Sequence, residues 1–142
     1  MHTKNRRFDN LGFTIIEMAY VLVVIGIITA IAIPSFTSFL RSSRLAGSSN
    51  QLMGDMQYAR TTAMSKRRQL RIEFAGTEYR IVETATAKIL RTSELPSGVT
   101  CAATADPNFY PWGLADPTTV TLSAGSKSTD VALSSNGHVD HY

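Results

Sequence analysis

Residues 12–34 read Gly12-Phe13-Thr14-Ile15-Ile16-Glu17-Met18, then an uncharged apolar run to Ile33, then Pro34. Phe13 to Ile33 is 21 residues, about 31 Å of helix at roughly 1.5 Å per residue, enough to span a bilayer. Lys4, Arg6 and Arg7 precede it and would hold the amino end on the cytoplasmic side. In a secretory signal the small residue and the cut follow the apolar stretch. Here Gly12 precedes it, so a cut after Gly12 leaves the apolar segment on the mature protein. Glu17 is the anomaly, because a carboxylate in the membrane interior costs about 2.5–3.5 kcal/mol on insertion scales. Its candidate partner is the new α-amino group at Phe13, one helical turn away, on its own chain or a neighbour's. Pairing between chains would neutralise both charges as subunits pack side by side. The plainer alternative is a carboxylate that snorkels to the headgroup edge.

Outside this stretch the chain is an ordinary small domain. It has 142 residues, 44% hydrophobic and 18% charged, which suits one domain with a core. That composition argues against a disordered chain, a disulfide-rich scaffold and a multi-spanning membrane protein. The net charge of +3 is unevenly spread. Residues 41–91 hold ten basic side chains against four acidic ones, and residues 94–142 hold five acidic ones against Lys127. This dipole would orient the domain toward an acidic partner or a polyanion. Cys101 is the only cysteine, so no intrachain disulfide forms, and its apolar surroundings predict a buried, inert thiol.

Beyond Pro34 the sequence stays helix-compatible to about Ser65. Leu45, Leu52, Met56, Ala59 and Ala63 recur at helical spacing and predict the buried face. Ser42, Ser43, Arg44, Ser48, Asn50, Gln51 and Asp55 are assigned to the outward face. Met53, Met56 and Met64 are assigned to core filling. Leu70, Ile72 and Phe74 alternate with Arg71 and Glu73 as in a half-buried strand. With the Ala75–Thr77 turn and Tyr79–Thr84 they predict a hairpin. Lys88–Thr92 and Val99–Ala102 are further strands. Residues 103–117, rich in proline and aspartate, read as a long loop. Phe109, Tyr110 and Trp112 would either anchor it or form a contact, and anchoring is favoured. Val120–Ser123 and Val131–Ser134 flank a turn at Gly125-Ser126-Lys127, and Asn136-Gly137 leads into a terminal tail or strand.

The short basic leader, Gly12, Phe13 after it, and glutamate five residues into the remainder resemble the class III signal of type IV pilins and type II secretion pseudopilins. The match covers residues 6–40. Leu52–Lys66 running into the strand RRQLRIEF, and the ending VALSSNGHV, are similar to the GspH/FimT branch of minor pilins and pseudopilins. The resemblance implies an α+β pilin fold, a long amino-terminal helix packed against antiparallel sheet. It divides the chain into a leader (1–12), a membrane and fibre-core helix (13–34), an amphipathic helix (35–66) and a β-rich domain (67–142). It implies that prepilin peptidase cuts after Gly12 and methylates the new amino terminus at Phe13. Glu17 would dock each subunit into the growing fibre. Pro34, which removes a backbone donor, matches the family's helix-kinking proline, and with Gly26 it would mark where the helix bends or locally melts as subunits pack. The missing cysteine pair departs from major pilins of the IVa type and points to a minor subunit. The implied partners are a major pilin, other minor pilins or pseudopilins, the peptidase and an inner-membrane assembly platform. The implied location is the inner membrane, crossed once with the amino end cytoplasmic and the domain periplasmic, and then the fibre.

No catalytic constellation emerges: no serine pairs with a histidine and a carboxylate, and no glycine loop cradles a phosphate. No enzyme activity, cofactor or metal is expected. His138, Asp140 and His141 are ligand types, but they sit in one short segment without a fourth ligand. The rival reading is DNA contact through Lys66, Arg67, Arg68 and Arg71, whose cluster suits phosphate binding. Pilins of this branch that act in DNA uptake carry Gly-Arg-x-Arg near the carboxyl end. Here the stretch is Gly137-His138-Val139-Asp140, without either arginine. The reading favoured by the sequence is a structural subunit acting in initiation or at the tip of a type IV pilus. A type II secretion pseudopilin is the alternative within the same fold.

Overall fold

The computed structural model describes residues 13–141. One helix and eight strands follow in order: α1 (Ile15–Lys66), β1 (Leu70–Phe74), β2 (Glu78–Glu83), β3 (Lys88–Glu94), β4 (Thr100–Ala103), β5 (Asn108–Phe109), β6 (Thr118–Ala124), β7 (Lys127–Leu133) and β8 (Val139–His141). The chain divides after Thr37 into two units, and α1 contributes to each.

The first unit is the amino-terminal part of α1. Thr14 caps it: its hydroxyl accepts the Glu17 N–H at 3.2 Å and its carbonyl accepts the Met18 N–H at 3.1 Å. Threonine followed three residues later by glutamate is a helix-start signature, and an acidic group in the first turn suits the helix dipole. The helix is continuous through Gly26 and Pro34. The most apolar eighteen-residue window of α1 has no buried residue.

The second unit holds the rest of α1 and all the strands. Sheet A has the order β3-β2-β1-β5 and sheet B the order β4-β6-β7-β8, with every pairing antiparallel. β1 and β2 form the expected hairpin, from Leu70 opposite Glu83 to Phe74 opposite Tyr79. Period-two burial then turns Leu70, Ile72, Tyr79 and Ile81 inward. Sheet B joins sheet A where the Cys101 N–H meets the Gly76 carbonyl at 2.7 Å. A single core draws on both sheets and on Leu45, Leu52, Met56, Ala59 and Ala63, the predicted helix face. Cys101 is buried, and desolvation raises its thiol pKa.

Several expectations change. Residues 103–117 are not simply loop: β5 pairs with β1, and Phe109 bridges Ala115. Phe109 anchors this segment as a fully buried ring, whereas Trp112 is 67% exposed. Met56 is core, Met53 is half-buried and Met64 is exposed. Lys127, expected in a turn, opens β7. The α1 terminus is a Schellman closure, in which the Arg68 N–H reaches the Ala63 carbonyl and the Arg67 N–H the Met64 carbonyl. The residue at the left-handed position is Arg67, at φ 51°, where glycine would avoid a cost of about 1–2 kcal/mol.

The largest correction concerns Ser48 and Asp55, which face inward. Asp55 is 3% exposed. One of its oxygens accepts the Tyr79 hydroxyl at 2.7 Å and the Ser93 hydroxyl at 2.8 Å. The other lies 2.9 Å from the Arg91 guanidinium, which itself lies over the Tyr58 ring. A buried carboxylate is tolerated only when paired and hydrogen-bonded in this way. Position 55 is three residues after Leu52 and four before Ala59, so it shares their face. Ser48 has the same relation to Leu45 and Leu52, although its hydroxyl has no partner.

Burial, followed by the hydrogen bond to Asp55, pushes the Tyr79 phenol well above its ordinary value of 10.0. The folded state therefore keeps a proton that the unfolded state releases. This stability is full below about pH 10 and is lost as pH rises toward the folded value. Tyr79→Phe is expected to cost about 1.5–3 kcal/mol at neutral pH, the worth of a hydrogen bond to a charged group. It should also flatten the fall in stability above pH 10. A residual slope is expected, because the Tyr110 phenol is raised by its bond to Asp116. Denaturant unfolding of the detergent-solubilised chain from pH 8 upward checks both effects.

Candidate functional site

Two regions of the described chain carry chemistry that the core does not absorb. The first is the amino-terminal part of α1. Phe13 is 75% exposed and Ile15 90%, and large apolar side chains continue exposed through Ile33. Glu17 lies in the first turn of this surface, beside the Thr14 cap. Phe13 and Glu17 are thus near one another at the helix start, while Gly12 lies outside the described residues. Gly26 stands in this helix with open space around its α-carbon, and Pro34 lies within it.

The second region is the carboxyl end of α1 with the loop that crosses it. Arg60 holds two separate segments to the helix. Its Nε donates to the Gly113 carbonyl at 3.0 Å and a terminal nitrogen reaches the Gly137 carbonyl at 3.4 Å. Both glycines have positive φ, 87° and 75°. A Cβ on Gly137 would stand 2.6 Å from Arg60 Nε, and one on Gly113 would stand 2.9 Å from Met64 Sδ. Between Phe109 and Ala115 the loop makes a tight turn. The Gly113 N–H donates to the Tyr110 carbonyl at 3.0 Å and the Tyr110 N–H to the Leu114 carbonyl at 2.9 Å. The Tyr110 and Trp112 rings stack 5.0 Å apart.

The predicted basic cluster separates into two kinds. Arg68 pairs with buried Glu83 at 2.6 Å. Bonds from the Thr86 hydroxyl and then from Arg68 hold the Glu83 carboxyl below its ordinary value. Arg71 donates to the Asn108 side chain at 3.1 Å, fixing β5 beside β1. Lys66 and Arg67 are exposed and enter no ion pair found among the described residues. His138 and Asp140 lie 3.0 Å apart.

Sequence reasoning missed Arg60, Gly113 and Gly137 as a connected set, since their meeting depends on long-range packing. The turn signal at Asn136-Gly137 was visible, but its contact with the helix was not. Of the two roles open to the loop aromatics, anchoring falls to Phe109, while Trp112 is left exposed and free for contact.

An apolar helix left uncovered at one end and packed under two antiparallel sheets at the other defines a pilin-type subunit. The family model described as Type II transport protein GspH matches residues 48–137, and the chain belongs to this family. Among solved structures, the type IV minor pilin FimU of Pseudomonas aeruginosa is similar. It shares 20% identity with a TM-score of 0.62, covering 73% of this chain and 92% of FimU. The minor pseudopilin EpsH from the type 2 secretion system of Vibrio cholerae is also similar. It shares 9% identity with a TM-score of 0.61, covering 70% of this chain and 96% of EpsH. At these identities the likeness concerns the fold. No curated protein matches the sequence.

Gly137→Ala is expected to be the costlier of two matched glycine changes. Gly76→Ala meets only the positive-φ penalty, since nothing lies near its α-carbon, about 1–2 kcal/mol. Gly137→Ala meets that penalty and also displaces Arg60 from its carbonyls. Unfolding midpoints of the two variants, measured side by side, should place Gly137→Ala lower. Equal midpoints would show that Arg60 does not hold the carboxyl-terminal turn.

Proposed function

We propose that this chain is a minor subunit that prepilin peptidase processes after Gly12, and that it enters a pilin-type fibre as part of the initiating or tip complex. The observation that carries this reading is the apolar helix from Ile15 onward, whose most apolar window has no buried residue. Such a surface needs a bilayer before assembly and other helices after it. Membership in the GspH family supports assembly with other pilins or pseudopilins as the reason for that surface.

In this reading the cut frees the Phe13 amino group, which is then methylated, within one turn of Glu17. Opposite charges at that spacing neutralise each other most effectively where water is excluded. A subunit entering the fibre therefore gains by pairing its Glu17 with a neighbour's Phe13 amine. Gly26 and Pro34 lower the helix's resistance to bending as the subunits pack. A type IV pilus is the assembly we favour, with the type II secretion pseudopilus as the alternative. DNA contact has less support, because Arg68 and Arg71 already serve Glu83 and Asn108.

Mass spectrometry of the mature protein is expected to show a chain that begins at methylated Phe13. An uncut chain, or a different start, would refute the processing step. Glu17→Ala is expected to leave membrane insertion and cleavage intact and to deplete the protein from sheared fibres by about tenfold or more, as loss of a buried charge pair does. Wild-type levels in fibres would remove Glu17 from docking.

A further inference from the structure

Trp112 is the most exposed large apolar side chain in the second unit, yet it is rigidly held. Its ring stacks on Tyr110, whose hydroxyl donates to Asp116 at 3.2 Å. The turn that carries it is clamped by Arg60 at the Gly113 carbonyl. Gly113 lies directly against Met64 Sδ, the contact that a Cβ would block. Trp112 and Leu114 therefore stand on either side of a glycine seated on Met64, and all three side chains are at least 40% exposed. Rigid aromatic groups lose little entropy on binding and dominate many interfaces. Among the described residues, none covers the outer face of this tryptophan.

Two exposed cations follow Met64 closely in the chain, and Asp116 stands on the other side at Tyr110. The helix ends two residues after Met64 with Lys66, and Arg67 follows with its N–H on the Met64 carbonyl. Arg67 occupies the left-handed position where glycine is the relaxed choice. Retained strain of this kind is characteristic of positions whose side chain is needed.

We propose that Trp112, Leu114 and Met64, with Lys66 and Arg67 at their edge, form a docking surface for an acidic, apolar-bearing face of another pilin-fold subunit. The proposal rests on the assembly reading above. An apolar centre with two exposed cations at its edge is complementary to a surface of that kind. Head-to-tail contacts of unlike faces are the ones that extend a fibre. A single-stranded nucleic acid could stack on Trp112 and meet the two cations, but it would leave Met64 and Leu114 without an apolar partner. This favours protein.

The test uses the full chain in cells that assemble fibres, with a benzophenone amino acid replacing Leu114. The expected product, in the fibre fraction, is an adduct whose peptides come from another pilin-fold subunit at a segment of net negative charge. Trp112→Ala should lower its yield by about tenfold or more, as truncating a hot spot does. Arg67→Gly should lower the yield several-fold while raising the unfolding midpoint. A role confined to the fold would raise the midpoint and leave the yield alone. Adducts only to a second copy, to lipid or to DNA would overturn the proposal. So would no adduct above that of an exposed control position at Thr92. Chain present in fibres without the adduct refutes the docking surface alone, whereas chain absent from fibres refutes the assembly reading.

Discussion

The apolar side chains from Phe13 to Ile33 must be buried somewhere, and the described part of this chain does not bury them. Thirteen large apolar residues in that span are exposed. At about 1.5–3 kcal/mol each, covering them is worth roughly 20–40 kcal/mol. That exceeds the whole stability of a typical domain, about 5–15 kcal/mol. The roughly 2.5–3.5 kcal/mol cost of one carboxylate in a membrane is small by comparison. Glu17 therefore does not prevent insertion. In the proposed reading it gives a membrane-held chain a reason to seek a partner charge.

Along the rest of α1 the chain covers its own helix, and there polar groups set the register. Asp55 joins the helix to β2 and β3 through Tyr79, Ser93 and Arg91. Arg60 joins it to the loop at Gly113 and to the turn at Gly137. Lys127 reaches Ser42 at 2.5 Å, tying the β6–β7 hairpin to the same helix. Apolar burial alone would tolerate sliding of the helix along the sheets. These directional bonds do not, because any displacement would strand a buried carboxylate. A minor subunit that must present defined faces to its neighbours benefits from such fixing.

The helix, the β1–β2 hairpin and the β6–β7 hairpin were legible because their apolar periodicities are strong. The two-residue strand β5 was not, because Asn108-Phe109 carries no period and owes its place to β1 and to Asp116. Asp55 and Ser48 were misplaced by residue type, although their spacing from Leu45, Leu52 and Ala59 put them on the inward face. The leader and Glu17 rest on the sequence motif alone, because the family match covers residues 48–137 and includes neither. The sequence leaves Trp112 as either an anchor or a contact residue, and only the packing of Gly113 on Met64 shows that it faces out.

The central claim is that the amino-terminal part of α1 is covered by lipid and then by other subunits. Cysteine labelling tests it directly. Cys101 is buried and should stay silent toward a water-soluble maleimide. Ile28→Cys should resist the reagent in intact membranes and again in sheared fibres, while Trp112→Cys in membranes reacts freely. Ready labelling of Ile28→Cys in both settings would contradict the account, because the helix would then be exposed to water in the states that should bury it.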